Sequence, residues 1–199
     1  MPIQAQPLPC EPAAFAPHLS TDAVERHRAA QQAGLDALEA LLGAACTADA
    51  PPELAALARE SSGALAARAA QAWAEDFYWA GLRRASGEAA SEPRGAVAEA
   101  IAQAFGDVRR LRERFGEAAM KLAGPGWLWL VQRRDGRLAI LATPQSTTPL
   151  TGQDTPLLAC CLWPHALPLE QDDARQRQLA AFWALVDWNV VTTRLRKGG

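Results

Sequence analysis

The chain has no cysteine pair spaced C-x-x-C, no extended run of like charge, and no apolar stretch near the roughly 20 residues that span a bilayer. Each absence removes a class of function. The four cysteines stand at positions 10, 46, 160 and 161, and the neighbours Cys160 and Cys161 would bridge each other only with strain, so a disulfide framework is not expected. The basic clusters Arg109-Arg110 and Arg194 to Lys197 are short and offset by nearby acids or the chain end; with a net charge of -2, no nucleic-acid partner is expected. The N-terminal Met1-Pro-Ile-Gln-Ala-Gln-Pro7 has neither a basic nor an apolar leader region, which makes a cytoplasmic location without membrane contact the expectation. Histidine is scarce as well: His18, His27 and His165 are the only three.

What is present suffices for a sizeable core. Hydrophobic residues make up 49% of 199 positions, a composition that fits one or two compact domains. After a proline-rich opening, Ser20, Thr21 and Asp22 offer N-cap chemistry for a helix running to about Leu42, with Val24, His27, Gln31, Leu35, Leu38 and Leu41 along one face. A second helical stretch follows Pro51-Pro52, and a third is expected from about Ala64 to Arg84. Together they predict an α-hairpin over residues 1–88. The segment Ser86 to Gly95 reads as a linker. Helical patterns return at Ala96 to Phe105 and Asp107 to Leu122, followed by two apolar runs around Asp135-Gly136, the pattern of a β-hairpin. A third strand over Leu157 to Trp163 and one amphipathic helix from about Asp172 to Arg196 complete an α+β second half, residues 89–199.

Several ordered motifs carry a resemblance. Leu8-Pro9, Ala16-Pro-His-Leu-Ser20, Gln71-Ala-Trp73, Phe77-Tyr-Trp79, Gly126-Trp-Leu-Trp-Leu-Val131, Thr148-Pro-Leu150, Trp163, His165-Ala166 and Phe182-Trp-Ala-Leu-Val-Asp-Trp188 are similar, in order, to those of the iron/manganese superoxide dismutases. The resemblance covers nearly the whole chain. It implies an N-terminal antiparallel α-hairpin domain, a C-terminal domain with a three-stranded antiparallel sheet and flanking helices, and a metal ion between them.

The family's ligands are three histidines and one aspartate. By position, the resemblance implies His27 and His165 as the first and last ligands, with Glu75 in place of the second histidine and Cys161 in place of the aspartate. Around the metal, Gln71 matches the glutamine of iron-type members, while Gln31 and Leu35 replace the histidine and tyrosine of the substrate funnel. Trp129 and Trp163 belong to the apolar cage. No residue is singled out as catalytic. Pro164 replaces a glutamate that crosses the family's dimer, so a homodimer stays open and its usual interface is in question.

Two imidazoles, one carboxylate and one thiolate carry one more negative charge than the family's set, which favours Fe(III) over Fe(II) and lowers the potential. The same donors suit tetrahedral zinc. One metal ion per chain is therefore expected, iron or zinc ahead of manganese, with superoxide or another small molecule as its partner and with dismutation weakened, redirected or lost. Two alternatives stay open: a pocket with no metal in a protein that serves as a structural or interaction partner, and ordinary dismutation with an unusual ligand set.

Overall fold

A computed structural model describes residues 3–43, 52–85, 92–163 and 173–196. The first helix, α1 (Thr21–Leu42), starts where Ser20 accepts a hydrogen bond from the Ala23 amide at 3.2 Å, which satisfies one of the amides a helix start leaves without a partner. Its buried residues Val24, His27, Gln31, Leu35 and Leu38 recur every three or four positions, the stripe read from the sequence except at its end, where Leu41 is exposed. After α2 (Leu54–Glu60), the helix α3 (Gly63–Ala80) returns against α1. Ile3, Leu35, Leu38, Ala58, Ala69 and Leu150 form part of the small apolar cluster that holds this hairpin together.

The second half begins with α4 (Gly95–Phe105) and α5 (Val108–Lys121). Gly106, at φ +93°, lets the chain turn sharply between them, and Asp107 then caps α5 through the Arg110 amide at 2.7 Å. Three antiparallel strands follow, β1 (Gly126–Gln132), β2 (Leu138–Pro144) and β3 (Thr155–Cys161), in the order β2-β1-β3. As the central strand, β1 is buried on both faces, which explains its unbroken apolar run Trp127 to Val131. Its first residue has to be glycine: a Cβ on Gly126 would lie 2.4 Å from the Thr143 carbonyl oxygen. The chain closes with α6 (Ala174–Leu185) and α7 (Trp188–Arg194).

The α+β class and the three-stranded sheet are those the sequence predicted, but the third helix, the closing helix and both ends of the third strand, which begins at Thr155, differ from the expectation. The third helix stops at Ala80 rather than Arg84, because Leu82 pairs with Val186 in an isolated antiparallel bridge. That same bridge interrupts the single closing helix expected from Asp172 to Arg196. There the Arg83 amide donates to the Leu185 carbonyl at 2.8 Å and the Asp187 amide to the Gly81 carbonyl at 2.9 Å. Asp187 then accepts from the Asn189 amide at 2.9 Å and opens α7. The third strand ends at Cys161, not Trp163: its last ladder bond runs from the Leu162 amide to the carbonyl of Gly126, the residue at which β1 begins. The expected domain boundary at 88/89 lies outside the described residues.

Candidate metal centre

Three of the four ligand candidates meet in the interior. His27 comes from α1, Glu75 from α3 and Cys161 from the end of β3; the imidazole nitrogen, carboxylate oxygen and sulfur lie within 4.8 Å of one another. His27 and Glu75 are each 2% exposed and Cys161 is fully buried. The fourth candidate, His165, lies outside the described residues, as does Pro164.

A chain of hydrogen bonds fixes this cluster to the sheet. Trp127 Nε1 donates to Gln71 Oε1 at 3.2 Å, Gln71 Nε2 donates to Glu75 Oε1 at 2.7 Å, and Glu75 Oε2 lies 2.5 Å from His27 Nε2. Gln71 and Glu75 are four residues apart on α3 and so share a face, which lets the amide reach the carboxylate. Each carboxylate oxygen therefore already meets a protein group, as a buried carboxylate requires. Gln178 of α6 donates its side-chain amide to the Cys161 carbonyl and pins the end of β3. Burial pushes the Cys161 thiol well above the usual cysteine range; the negative charge of Glu75 adds to the shift and a hydrogen bond from the Trp163 amide opposes it.

Aromatic rings enclose the donors. His27 stacks on Tyr78 with ring centroids 5.5 Å apart and tilts against Trp79 at 4.7 Å. Burial holds the Tyr78 phenol well above its ordinary range, with Cys161, Cys160 and Glu75 adding to the shift. Beyond them, Trp127 and Trp129 lie 5.7 Å apart, and Trp129 stacks on Trp73 at 5.9 Å while its Nε1 donates to Thr143 Oγ1 at 3.0 Å.

A cavity of ≈ 180 Å³ between α1 and α3 reaches the cluster along Glu75, lined by Gln31, Gly34, Arg68, Gln71 and Trp163 among others. Of the residues expected around the metal, Gln71, Gln31 and Trp163 thus line this cavity. Leu35 packs instead into the hairpin cluster beside Leu38 and Ala69, and Trp129 lies one layer further out, against Trp73 and Phe77.

Sequence reading passed over a network next to the site. Gln31 donates to Asp76 Oδ1 at 2.7 Å and accepts from Arg28 at 2.8 Å; Arg28 also donates to the Gln6 carbonyl at 2.8 Å, and the Gln6 amide donates to Asp76 at 3.2 Å. Burial raises the pKa of Asp76, against the opposing hydrogen bonds from Gln6 and Gln31. The available signal was position alone: Asp76 follows Glu75 directly.

The donor set fits a metal cation. A nitrogen, an oxygen and a sulfur from three separate elements converge in a buried, aromatic-walled space, and each is a ligand type for iron or zinc.

Comparison with known proteins identifies the family. Residues 93–194 match the model of the iron/manganese superoxide dismutases, C-terminal domain. The chain is 39% identical over 196 residues to Superoxide dismutase (Fe) of Escherichia coli strain K12, an alignment covering 98% of this chain and 99% of that one. The protein of the same name from Salmonella typhimurium is 38% identical over the same span, and that of Bordetella pertussis is 42% identical over 132 residues, 66% of this chain and 67% of the relative. The chain belongs to the iron/manganese superoxide dismutase family, and membership implies one iron or manganese ion per chain.

Proposed function

We propose that this protein binds one metal ion through His27, Glu75, Cys161 and His165, and that its superoxide dismutation is attenuated. The convergence of three buried donors within 4.8 Å carries the reading. Relatives aligned over the full length are named superoxide dismutases, so superoxide is the substrate to test first.

A redox-active ion in such a site supplies one-electron chemistry. The rest depends on the side chains around it. Ionised Glu75 and Cys161 bring two negative charges where three imidazoles and an aspartate bring one, which stabilises the +3 state and makes reduction by superoxide harder. Cys161 has to give up a proton to act as a ligand, and burial and the Glu75 charge both oppose that loss, so metal loading releases a proton and weakens as pH falls. Leu35 is buried and has no hydroxyl, and Gln31 is held by Asp76 and Arg28 through an amide, so neither offers an acidic proton. Zinc takes nitrogen, oxygen and sulfur donors without a redox cycle and competes with iron for this set, with manganese third.

A second reading is favoured by the hydrogen bonds themselves. His27, Glu75 and Gln71 satisfy one another directly and the Cys161 thiol is held neutral, so the cluster can also serve as a polar plug in a protein whose role is structural.

Elemental analysis of protein expressed with iron, manganese and zinc supplements separates the two. The first reading expects about one ion per chain that survives dialysis and is lost in a His27→Ala, His165→Ala double variant. It also expects slow superoxide turnover that rises roughly 10- to 100-fold in Glu75→His, Cys161→Asp. Absence of metal under every supplement, with a melting temperature that chelator does not move, establishes the second.

A further inference from the structure

A groove of ≈ 800 Å³ runs between α2, the β1–β2 turn, the start of β3 and the end of α7, away from the donor cluster. Four arginines line it: Arg59, Arg134, Arg194 and Arg196. Elsewhere on the surface, Arg26, Arg109, Arg112, Arg133, Arg137 and Arg177 each pair with a carboxylate. Among the described residues, none of the four groove arginines does.

Each of the four is instead held by neutral groups. Arg59 Nε donates to the Leu150 carbonyl at 3.2 Å, and Arg134 donates to Gln153 Oε1 at 2.9 Å. Arg194 donates to the carbonyls of Leu157 at 3.1 Å and Phe77 at 3.3 Å, with its guanidinium 3.6 Å above the Phe77 ring. The backbone of Arg196 is gripped at two points by the buried Gln132, which accepts from its amide at 2.8 Å and donates to its carbonyl at 3.2 Å. Neutral partners fix position without cancelling charge. Two acids also line the groove. Asp154 is already taken by Arg133 at 2.8 Å, which leaves Glu53 as the one remaining carboxylate against four guanidinium groups. Burial lowers the pKa of Arg194 to about 10, so it stays cationic at neutral pH while lacking the solvation a free guanidinium enjoys.

We infer that this groove binds a small anion carrying two or more phosphate groups. Guanidinium forks pair with phosphate oxygens bidentately, and each terminal phosphate contributes about -1.5 to -2 charges at neutral pH, matching the uncompensated positive charge in little volume. The groove is of a size that takes a small ligand, and Trp73 gives part of its wall an aromatic surface. An inorganic oligophosphate and a nucleotide share the phosphate chemistry; only the nucleotide uses that surface as well. The inference is independent of the metal ligands and stands or falls apart from them.

Isothermal titration of the purified full chain with tripolyphosphate and, separately, ATP at about 0.1 M salt tests it. One-to-one saturable binding at or below about 100 µM is expected. An Arg59→Gln, Arg196→Gln double variant should weaken binding at least about tenfold, whereas Arg109→Gln, on the far-side pair with Glu113, should not change it. Because Arg59 also holds the Leu150 carbonyl, Arg134→Gln on the exposed turn gives the same readout with an unaltered fold. Tighter binding of ATP identifies a nucleotide, and equal binding identifies the phosphate chain alone. No saturable binding of either anion, or equal weakening by Arg109→Gln and the groove variants, overturns the inference.

Discussion

The buried centre has two sides, and they are built on different principles. On the aromatic side, Trp73, Phe77, Tyr78, Trp79, Trp127 and Trp129 interlock through ring contacts, with Trp79, Trp127 and Trp129 almost wholly excluded from solvent. On the donor side, His27, Glu75 and Gln71 are joined by hydrogen bonds, and the bonded partners are polar groups that had to be matched. On the proposed reading, the aromatic side is the family's cage, and Glu75 and Cys161 are exchanged donors at two of the four ligand positions. Packing depends on shape and is indifferent to which atoms ligate, so on that reading such a cage tolerates a different polar side. Glu75 fits because its two oxygens meet His27 and Gln71; an apolar residue there would leave both without that partner.

The largest effect that sharpens this contrast is expected on the aromatic side. Trp129→Ala removes a fully buried ring and its hydrogen bond to Thr143, and should lower unfolding free energy by about 3 to 5 kcal/mol in urea titration. Glu75→Ala, on the donor side, should cost about 1 to 3 kcal/mol in the metal-free protein through the polar groups it strands, and should abolish metal retention. A loss from Glu75→Ala as large as that from Trp129→Ala would break the comparison.

The smallest effect concerns pH. Burial holds Cys160, Cys161 and Tyr78 neutral, raising the two thiols above the 9.0 and the phenol above the 10.0 that describe them in the unfolded chain. Below those values the folded and unfolded states are both protonated and nothing changes. As pH rises through them, the unfolded chain releases protons that the folded one keeps, so stability falls. With chelator present, stability should be flat to about pH 8 and then decline by about 1.4 kcal/mol per pH unit for each thiol, with the phenol adding its share only above about pH 10. Cys160→Ala should remove one thiol's share of that slope.

Much of this was legible in the sequence, for identifiable reasons. The α-hairpin announces itself through Ser20 and the three-and-four spacing from Val24 to Leu38, and the β-hairpin through Asp135-Gly136, where Gly136 takes φ +84°. The break between α6 and α7 was not legible, because Phe182, Trp183, Val186 and Val190 continue an apolar helical pattern across it and the cause, a bridge to Leu82, is remote in sequence. The donor trio was legible from position in motifs. Leu35, set beside the metal by the resemblance, packs in the hairpin cluster, because helical spacing puts it on the same stripe as His27 without saying which neighbour each turn of the stripe meets. The Arg28, Gln31 and Asp76 network depends on the approach of residue 6, which no local pattern records.

The bridge between Leu82 and Val186 joins points about a hundred residues apart along the chain. Closing so long a loop carries an entropic cost that only prior assembly of the intervening sheet and helices can offset. Chain topology therefore predicts that this seam closes late in folding, bringing Trp188 and Val191 of α7 onto the core with it.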